Sequence, residues 1–482
     1  MIKAAGRFAP PPAIERFWIC VLFRRSFGGN HLIFYLRKGG RLMSEKNSPT
    51  AGICTLGCRL NYYESTAVEE KLSEEGFIVL PFSEKCDVYI INTCAVTAES
   101  EKKSRKMIRR AKSENPDAFV IVMGCASQVH ADIIEKIHGV DYVCGNRNKL
   151  SVIEAAKSLI ENGKIEKNVK IEDVEHAPIE KMNITRSDRT RAYVKIEDGC
   201  DNHCTYCIIK KARGNVVSRT ASDVINEIND LVLSGYREVV LTGVEVASYG
   251  RDFSDGYKLS NLVRDISEKT GVERIRLSSL EPSILRADFV DMLAENKKFM
   301  PSFHLSLQSG SNAVLASMKR KYNRESVIKN TDYIKAKMPD ATFTCDIITG
   351  FPGETEEDFA LTSDIAKHIH FLHMHVFPFS KRDGTPAAEM DNQLSEEVKN
   401  ERARELIDLD VIMKEEVIRA FSGKIYPVLF ETHENGFYMG HTPNMIEVKV
   451  VSDEDLCGKI VNVKLTGYED GTATGNVAEE KI

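Results

Sequence analysis

Between residues 200 and 207 the chain reads CDNHCTYC, which puts Cys200, Cys204 and Cys207 within eight positions. Thiolates are soft ligands, and Cys-x3-Cys-x2-Cys brings three of them to one small object. A 4Fe–4S cube fits, because each thiolate takes one corner iron and the fourth corner is left without a protein ligand. An open metal position is what catalysis needs, whereas a structural site is closed. Zinc is the competing reading. It needs a fourth ligand, and His203 lies inside the motif, but zinc sites usually use paired Cys or Cys/His sets and no second pair follows. Three other cysteines, Cys58, Cys94 and Cys125, close the short strings TLGC, INTC and VMGC. The commonest fate of a single free cysteine is that of a small buried hydrophobe. These three follow Gly or Thr at strand ends, which argues against that fate. Cys54 falls inside a strand, and Cys20, Cys86, Cys144, Cys345 and Cys457 read as core or surface residues.

The elements around these cysteines alternate. From 51 to about 160, AGICTL, DVYIINTC, FVIVMGC and DYVCG read as strands, with helices between them. Such alternation implies a doubly wound parallel sheet, in which ligands bind beyond the carboxyl ends of the strands. Cys58, Cys94 and Cys125 all fall at that edge. Residues 161–190 are charged and irregular and read as a linker or a loosely packed hairpin. From 191 the alternation resumes with AYVKI, EVVLTG, RIRLSS, SFHLSL, TFTCDIITG and HMHVFPF. Six strand–helix units make a partial (β/α)6 barrel, two short of the closed eight. The three-cysteine loop follows its first strand, at the catalytic face. A long helix then leads to short strands from Gly423 onward, a small all-β module. The fold class is therefore α/β multidomain, divided as 1–42, 43–175, 176–420 and 421–482.

Composition sets limits. The chain has 482 residues, 42% hydrophobic and 28% charged, and a net charge of −6, so no global basic field advertises a nucleic acid. No apolar run of about 18 residues exists to span a membrane. Twelve cysteines in this length are not a disulfide framework. Residues 1–42 carry eight Lys/Arg against one acid, and their apolar patch FWICVLF is short for a secretory signal. This segment reads as an over-called start, with Met43 as the true one.

With these residues in hand, the segment around CDNHCTYC resembles the core of the radical S-adenosylmethionine enzymes. More narrowly, TLGCRLNYYES, INTCAVTAES and VMGCASQ are similar to the amino-terminal domain of the methylthiotransferases, and the carboxyl module resembles their RNA-binding TRAM domain. Within that family TLGCRLN, NTCAVTAESEKKSRKMIRRA and HVFPFSKRDGTPAA most resemble the branch that modifies threonylcarbamoyladenosine in tRNA. The ribosomal-protein branch usually has proline where Arg59 stands. Lys210 replaces the proline usual after the triad, and Glu245 and Ala247 also depart from the common pattern. The resemblance implies two 4Fe–4S clusters. The one on Cys200, Cys204 and Cys207 leaves its open iron to S-adenosylmethionine, whose cleavage yields a radical that takes hydrogen from carbon 2 of adenine. The one on Cys58, Cys94 and Cys125 leaves its open iron to sulfur, and a second S-adenosylmethionine gives the methyl group.

Candidate cofactor contacts follow from the same resemblance. Tyr206 offers an aromatic face, Gly243 lets backbone approach the methionine half, Gln308 and Ser309 hydrogen-bond ribose or carboxylate, and Gly350 lines the adenine. Glu281 and Asp346 are polar anchors or helix caps. For RNA, the helix 100–113 carries seven basic residues, and Lys210, Lys211, Arg213, Arg219 and Lys319–Lys321 surround the cluster loop. The carboxyl module has five Lys against ten acids, so it would read RNA shape or a flipped base through Phe437, Tyr438 and His441. The expected partners are tRNA, S-adenosylmethionine, an electron donor and a sulfur donor, with no membrane, in the cytoplasm. The alternatives are the isopentenyladenosine branch, which shares all six cysteines, and a non-catalytic zinc-stabilised RNA-binding protein.

Overall fold

Val88–Thr93 is buried at every position, and Phe119–Gly124 at all but its first. Strands covered on both faces must be apolar throughout, which is why they read as runs and belong in a parallel sheet. In the computed structural model, which describes residues 19–26, 29–36 and 48–478, they are the centre of a six-stranded sheet. Its order is Ile78–Leu80, Thr50–Thr55, Val88–Thr93, Phe119–Gly124, Tyr142–Cys144, Val169–Lys170, and every neighbouring pair is parallel. The direction of winding reverses between Thr50–Thr55 and Val88–Thr93. That switch point opens a crevice at the carboxyl ends of the two strands, and Cys58 and Cys94 stand just beyond those ends. Alternate side chains of the strands feed two apolar layers, one around Val88, Ile90 and Ile121 and one around Tyr89, Ile91 and Val122.

The segment 161–190 is not a loose linker. Helix Ser151–Asn162 enters it, Val169–Lys170 adds the sixth strand, and Val174, Met182 and Ile184 are buried. The Tyr63 hydroxyl donates to the Met182 carbonyl at 2.6 Å, which fastens the segment to the first helix. Three buried apolar residues scattered among charges give no periodicity to read.

All six core strands form. They pair in parallel as two three-stranded sheets, Ala192–Lys195, Glu238–Thr242 and Arg274–Leu277 in one, and Ser302–Gln308, Thr342–Thr349 and His373–Pro378 in the other. Two isolated parallel bridges, Ile275–Phe299 and Leu280–Leu305, join the sheets, and one apolar core runs beneath both. The helices between them start on side-chain caps: Thr220, Asn323 and Thr355 each accept a backbone N–H, each cap contributing about 1 kcal/mol.

Helix Glu396–Ala420 leads into a closed five-stranded barrel over residues 425–477. The barrel meets the starts of the core strands. Arg276 donates to the Pro443 carbonyl at 2.7 Å, and the Thr342 hydroxyl to the Asn444 carbonyl. Ile19–Ser26 and Gly29–Leu36 pair as an antiparallel hairpin. The rest of the 1–42 extension lies outside the described residues. Among the described residues no helix is long and apolar enough to cross a membrane.

Candidate active site

The loop 200–207 leaves the first core strand through Gly199, whose φ of +81° suits glycine. The Cys200 N–H donates to the Gly214 carbonyl at 3.0 Å, which closes the loop at its base. Thr205 fastens the far side, donating through its N–H to Met318 and through its hydroxyl to Ser317. Each sulfur then receives one donor: Asn202 N–H to Cys200 at 3.4 Å, Ile209 N–H to Cys207 at 3.4 Å, and the Arg320 guanidinium to Cys204 at 3.2 Å. That environment suits thiolates. Burial above all, against the hydrogen bonds from Asn202 and Ile209, pushes the Cys200 thiol up to about 12 and Cys207 to about 11, so thiolates here need a cationic centre to bind.

The second trio is held by the sheet. Gly57 has φ of +95°, and a Cβ there would lie 2.8 Å from the Cβ and Sγ of Cys94, so the turn before Cys58 rests directly on that residue. Asn61 ties the same two turns, donating to the Leu56 carbonyl at 2.7 Å and the Thr93 carbonyl at 2.9 Å. Cys94 and Cys125 are buried, and Cys58 is open to solvent. Burial lifts the Cys94 thiol to about 11, with Cys125 and Cys58 adding to it through space. Cys58 rises for the same reason, because the concave wall around it disfavours charge even though its surface is open. Cys125 also raises Cys207, so the two trios feel each other.

A cavity of about 1150 Å³ opens beside the second trio, walled by Cys58 and Cys94 on one side and by Gly243, His304, Asp346 and His375 on the other. What the donor sets offer is three soft thiols each, the complement of a 4Fe–4S cube with one corner left open.

The other expected contacts divide. Gly243 and Asp346 line the cavity. A Cβ on Gly243 would lie 1.9 Å from the Glu197 carboxylate, so that position takes only glycine. Asp346 bonds His304 at 3.2 Å and faces His375 at 3.6 Å. Tyr206 packs against the cluster of Val314, Met318, Phe351 and Phe379. Glu281 is buried; Arg320 lies 3.7 Å from it and its N–H donates to the Glu245 carboxylate. Burial beside Glu281 raises Glu245 to about 7. Gln308 sits at the end of its strand with φ of +64°. Ser309 and Gly350 are turned elsewhere. The Ser309 hydroxyl is fully buried between Thr362 and the Ser311 N–H, and Gly350 packs against Lys399 of the long helix.

Several basic residues expected on the surface are interior. Arg213 is 1% exposed; it reaches both carboxylate oxygens of Glu64, Asp198 at 3.0 Å, Asn61 at 2.7 Å and the Cys125 sulfur at 3.3 Å. Arg219 is bound to Glu227 at 2.5 Å. Their acids come from distant segments, so only an acidic residue on an otherwise buried helix face, Glu64, hinted at them. By contrast Lys102, Lys103, Arg105, Lys106, Arg109 and Arg110 of helix Ala98–Glu114 are exposed, and Lys103 stands on the cavity wall. In the carboxyl barrel Tyr438 belongs to the apolar core, while Phe437 and His441 are half-exposed and outside it, His441 bonded to Glu431.

Comparison with known proteins follows the same division. Residues 194–365 match the radical SAM superfamily and residues 50–145 match the uncharacterized protein family UPF0004. The chain is 39% identical to the threonylcarbamoyladenosine tRNA methylthiotransferase MtaB of Bacillus subtilis, over 87% of this chain and 94% of that one. It is 37% identical to the tRNA-2-methylthio-N(6)-dimethylallyladenosine synthase of Carboxydothermus hydrogenoformans, over 86% and 96%. Among solved structures, the radical S-adenosylmethionine methyltransferase TsrM of Kitasatospora setae matches 71% of this chain and 74% of its own, at a TM-score of 0.52 and 15% identity, a likeness of fold alone.

Proposed function

Because the chain belongs to the radical S-adenosylmethionine tRNA methylthiotransferases, we propose that it methylthiolates carbon 2 of threonylcarbamoyladenosine in the anticodon loop of tRNA. The observation that carries this reading is the pair of three-thiol sets at the carboxyl edges of two parallel sheets, linked by Arg213, which follows the first set and reaches the Cys125 sulfur of the second, with Cys58 and Cys94 on the wall of one large cavity. The family brings one 4Fe–4S cluster and S-adenosylmethionine, which Cys200, Cys204 and Cys207 would hold. Cys58, Cys94 and Cys125 would hold a second cluster. Loaded with these groups, the site supplies one-electron cleavage of a sulfonium, sulfur insertion and methyl transfer.

The protein's own residues position. Asn61 holds the turns that carry Cys58 and Cys94 at a constant separation. Arg320 spans Cys204, Glu281 and the Ser306 carbonyl and thereby joins the loop to the second core sheet. Gly243 keeps backbone accessible on the cavity wall. Tyr206, Gln308 and Asp346 are the remaining cofactor contacts in this reading. The two core sheets are taken as one partial (β/α)6 barrel, the carboxyl barrel as a TRAM domain, and the divisions as 43–175, 176–420 and 421–482. The exposed basic face of helix Ala98–Glu114 leads tRNA phosphates to the cavity rim. An electron donor, a sulfur donor and a cytoplasmic location complete the reading.

The relative from Carboxydothermus, nearly as similar, keeps isopentenyladenosine as the second substrate reading. Mass spectrometry of nucleosides from a strain lacking the gene decides between them. We expect methylthiolated threonylcarbamoyladenosine to vanish and its unmodified precursor to accumulate. If the methylthiolated form persists while methylthiolated isopentenyladenosine disappears, the second reading holds.

A further inference from the structure

Arg59 follows Cys58 and is the first residue of helix Arg59–Glu74. It is exposed, and it lines both the large cavity and a smaller one, of about 270 Å³, that shares His304 and His375 with it. Among the described residues its guanidinium makes neither an ion pair nor a hydrogen bond. That sets it apart from Arg213, Arg219, Arg276 and Arg320, each of which meets a carboxylate. Nor does its own helix provide an acid in the first turn. The cavity's acids are largely taken: Asp346 faces His304 and His375, and Glu396 meets Lys399, which leaves Glu99. Lys103 and Lys381 also line the cavity, on a separate helix and loop. Of these three cavity-lining cations, Arg59 is the one next in sequence to a cysteine of the second trio.

The two substrate readings differ in charge. A threonylcarbamoyl group ends in a carboxylate, whereas an isopentenyl group is a neutral hydrocarbon. Both hang on N6 of adenine, and carbon 6 and carbon 2 flank the same ring nitrogen. A base that offers carbon 2 toward Cys58 therefore carries its N6 substituent along the adjoining wall. Guanidinium binds carboxylate with two parallel hydrogen bonds, a pairing no hydrocarbon reproduces. We infer that Arg59 receives the threonyl carboxylate and makes the site selective for threonylcarbamoyladenosine over isopentenyladenosine. This rests on the threonylcarbamoyladenosine reading above.

The test uses iron-loaded full-length enzyme and anticodon stem-loop RNAs carrying threonylcarbamoyladenosine, its threonine methyl ester, or isopentenyladenosine. Wild type should prefer the acid over the ester. Arg59→Gln should raise KM for the acid roughly tenfold to hundredfold, the scale of a hydrogen bond to a charged group, and leave the ester nearly unchanged. Arg59→Lys should recover part of the loss. Iron and sulfide per chain should match wild type in both variants, because the side chain is exposed. If wild type uses the acid but Arg59→Gln keeps its KM, the inference fails and the substrate reading stands. If wild type modifies only the isopentenyladenosine RNA, both fail.

Discussion

The side chain of Arg213 crosses from the core into the amino-terminal sheet domain, where two of its nitrogens reach the two oxygens of Glu64 at 2.9 and 3.0 Å. Lys149 and Lys195 meet the same carboxylate, and Lys195 also meets Asp198. Burial works against charge on Glu64, but these three cations hold its carboxyl well below the usual range. The network is closed on itself and fully interior, so it joins the two domains only while every member is present. Removing one partner of a buried pair leaves an uncompensated charge and costs about 3–5 kcal/mol. Arg213→Met should therefore lower the anaerobic thermal midpoint clearly. Arg213→Lys should not restore it, since an ammonium cannot span both Glu64 oxygens and the Cys125 sulfur together. A wild-type melt for either variant would contradict the bridging role.

At the scale of elements, each trio depends on one turn. A methyl at Gly199 would lie 2.0 Å from the Asn215 carbonyl, and one at Gly57 2.8 Å from the Cys94 sulfur; both glycines hold positive φ. Because the turns belong to different sheets, damage should be separable. With each trio holding a cluster as proposed, Gly199→Ala should lose iron from the first set and Gly57→Ala from the second, each falling from about eight irons per chain to about four. Loss of all iron in either variant would mean the sites are not independent, and loss of none that the trio does not depend on its turn. The strands behind these turns were legible because a parallel strand buried on both faces is an apolar run. That is how Val88–Thr93 declared itself, whereas Ser302–Gln308 and Thr342–Thr349 showed as alternation, buried and half-buried residues in turn. The partition of the core strands into two sheets was not legible, since it rests on Arg274–Leu277 and Ser302–Gln308 being joined through two isolated bridges instead of a continuous ladder. Arg213 and Arg219 read as surface charge for a related reason. Arg213 meets Glu64 across 149 residues of sequence, and Arg219 is buried among strand ends that local composition does not reveal. The cysteine sets were visible in the sequence, while the inward turn of Ser309 depends on Thr362, a partner 53 positions away.

The whole molecule has two working ends. The cavity and its cysteine turns lie at the carboxyl ends of the core strands, and the small barrel covers their starts. The smaller cavity connects the two ends, because Arg59, His304 and His375 line it together with His441, Met445 and Glu447 of the barrel, so the barrel's attachment shapes the wall beside the site. That attachment includes Glu431, which pairs with Arg191 at 2.7 Å and His441 at 3.2 Å. Burial disfavours its charge, but the hydrogen bond from His441 and the field of Arg191 bring its carboxyl down to about 2, against about 4.3 in an unfolded chain. A carboxyl depressed on folding contributes stability that is complete above its unfolded value and is lost as pH falls through its folded value. Glu431→Gln should consequently lower the thermal midpoint by a constant amount from about pH 8 down to about pH 5. The gap to wild type should shrink to roughly half near pH 3 and close toward pH 2. Paired melts across that range read it directly. A gap that stays constant down to pH 2, or widens on acidification, would show that Glu431 does not hold the barrel through its charge.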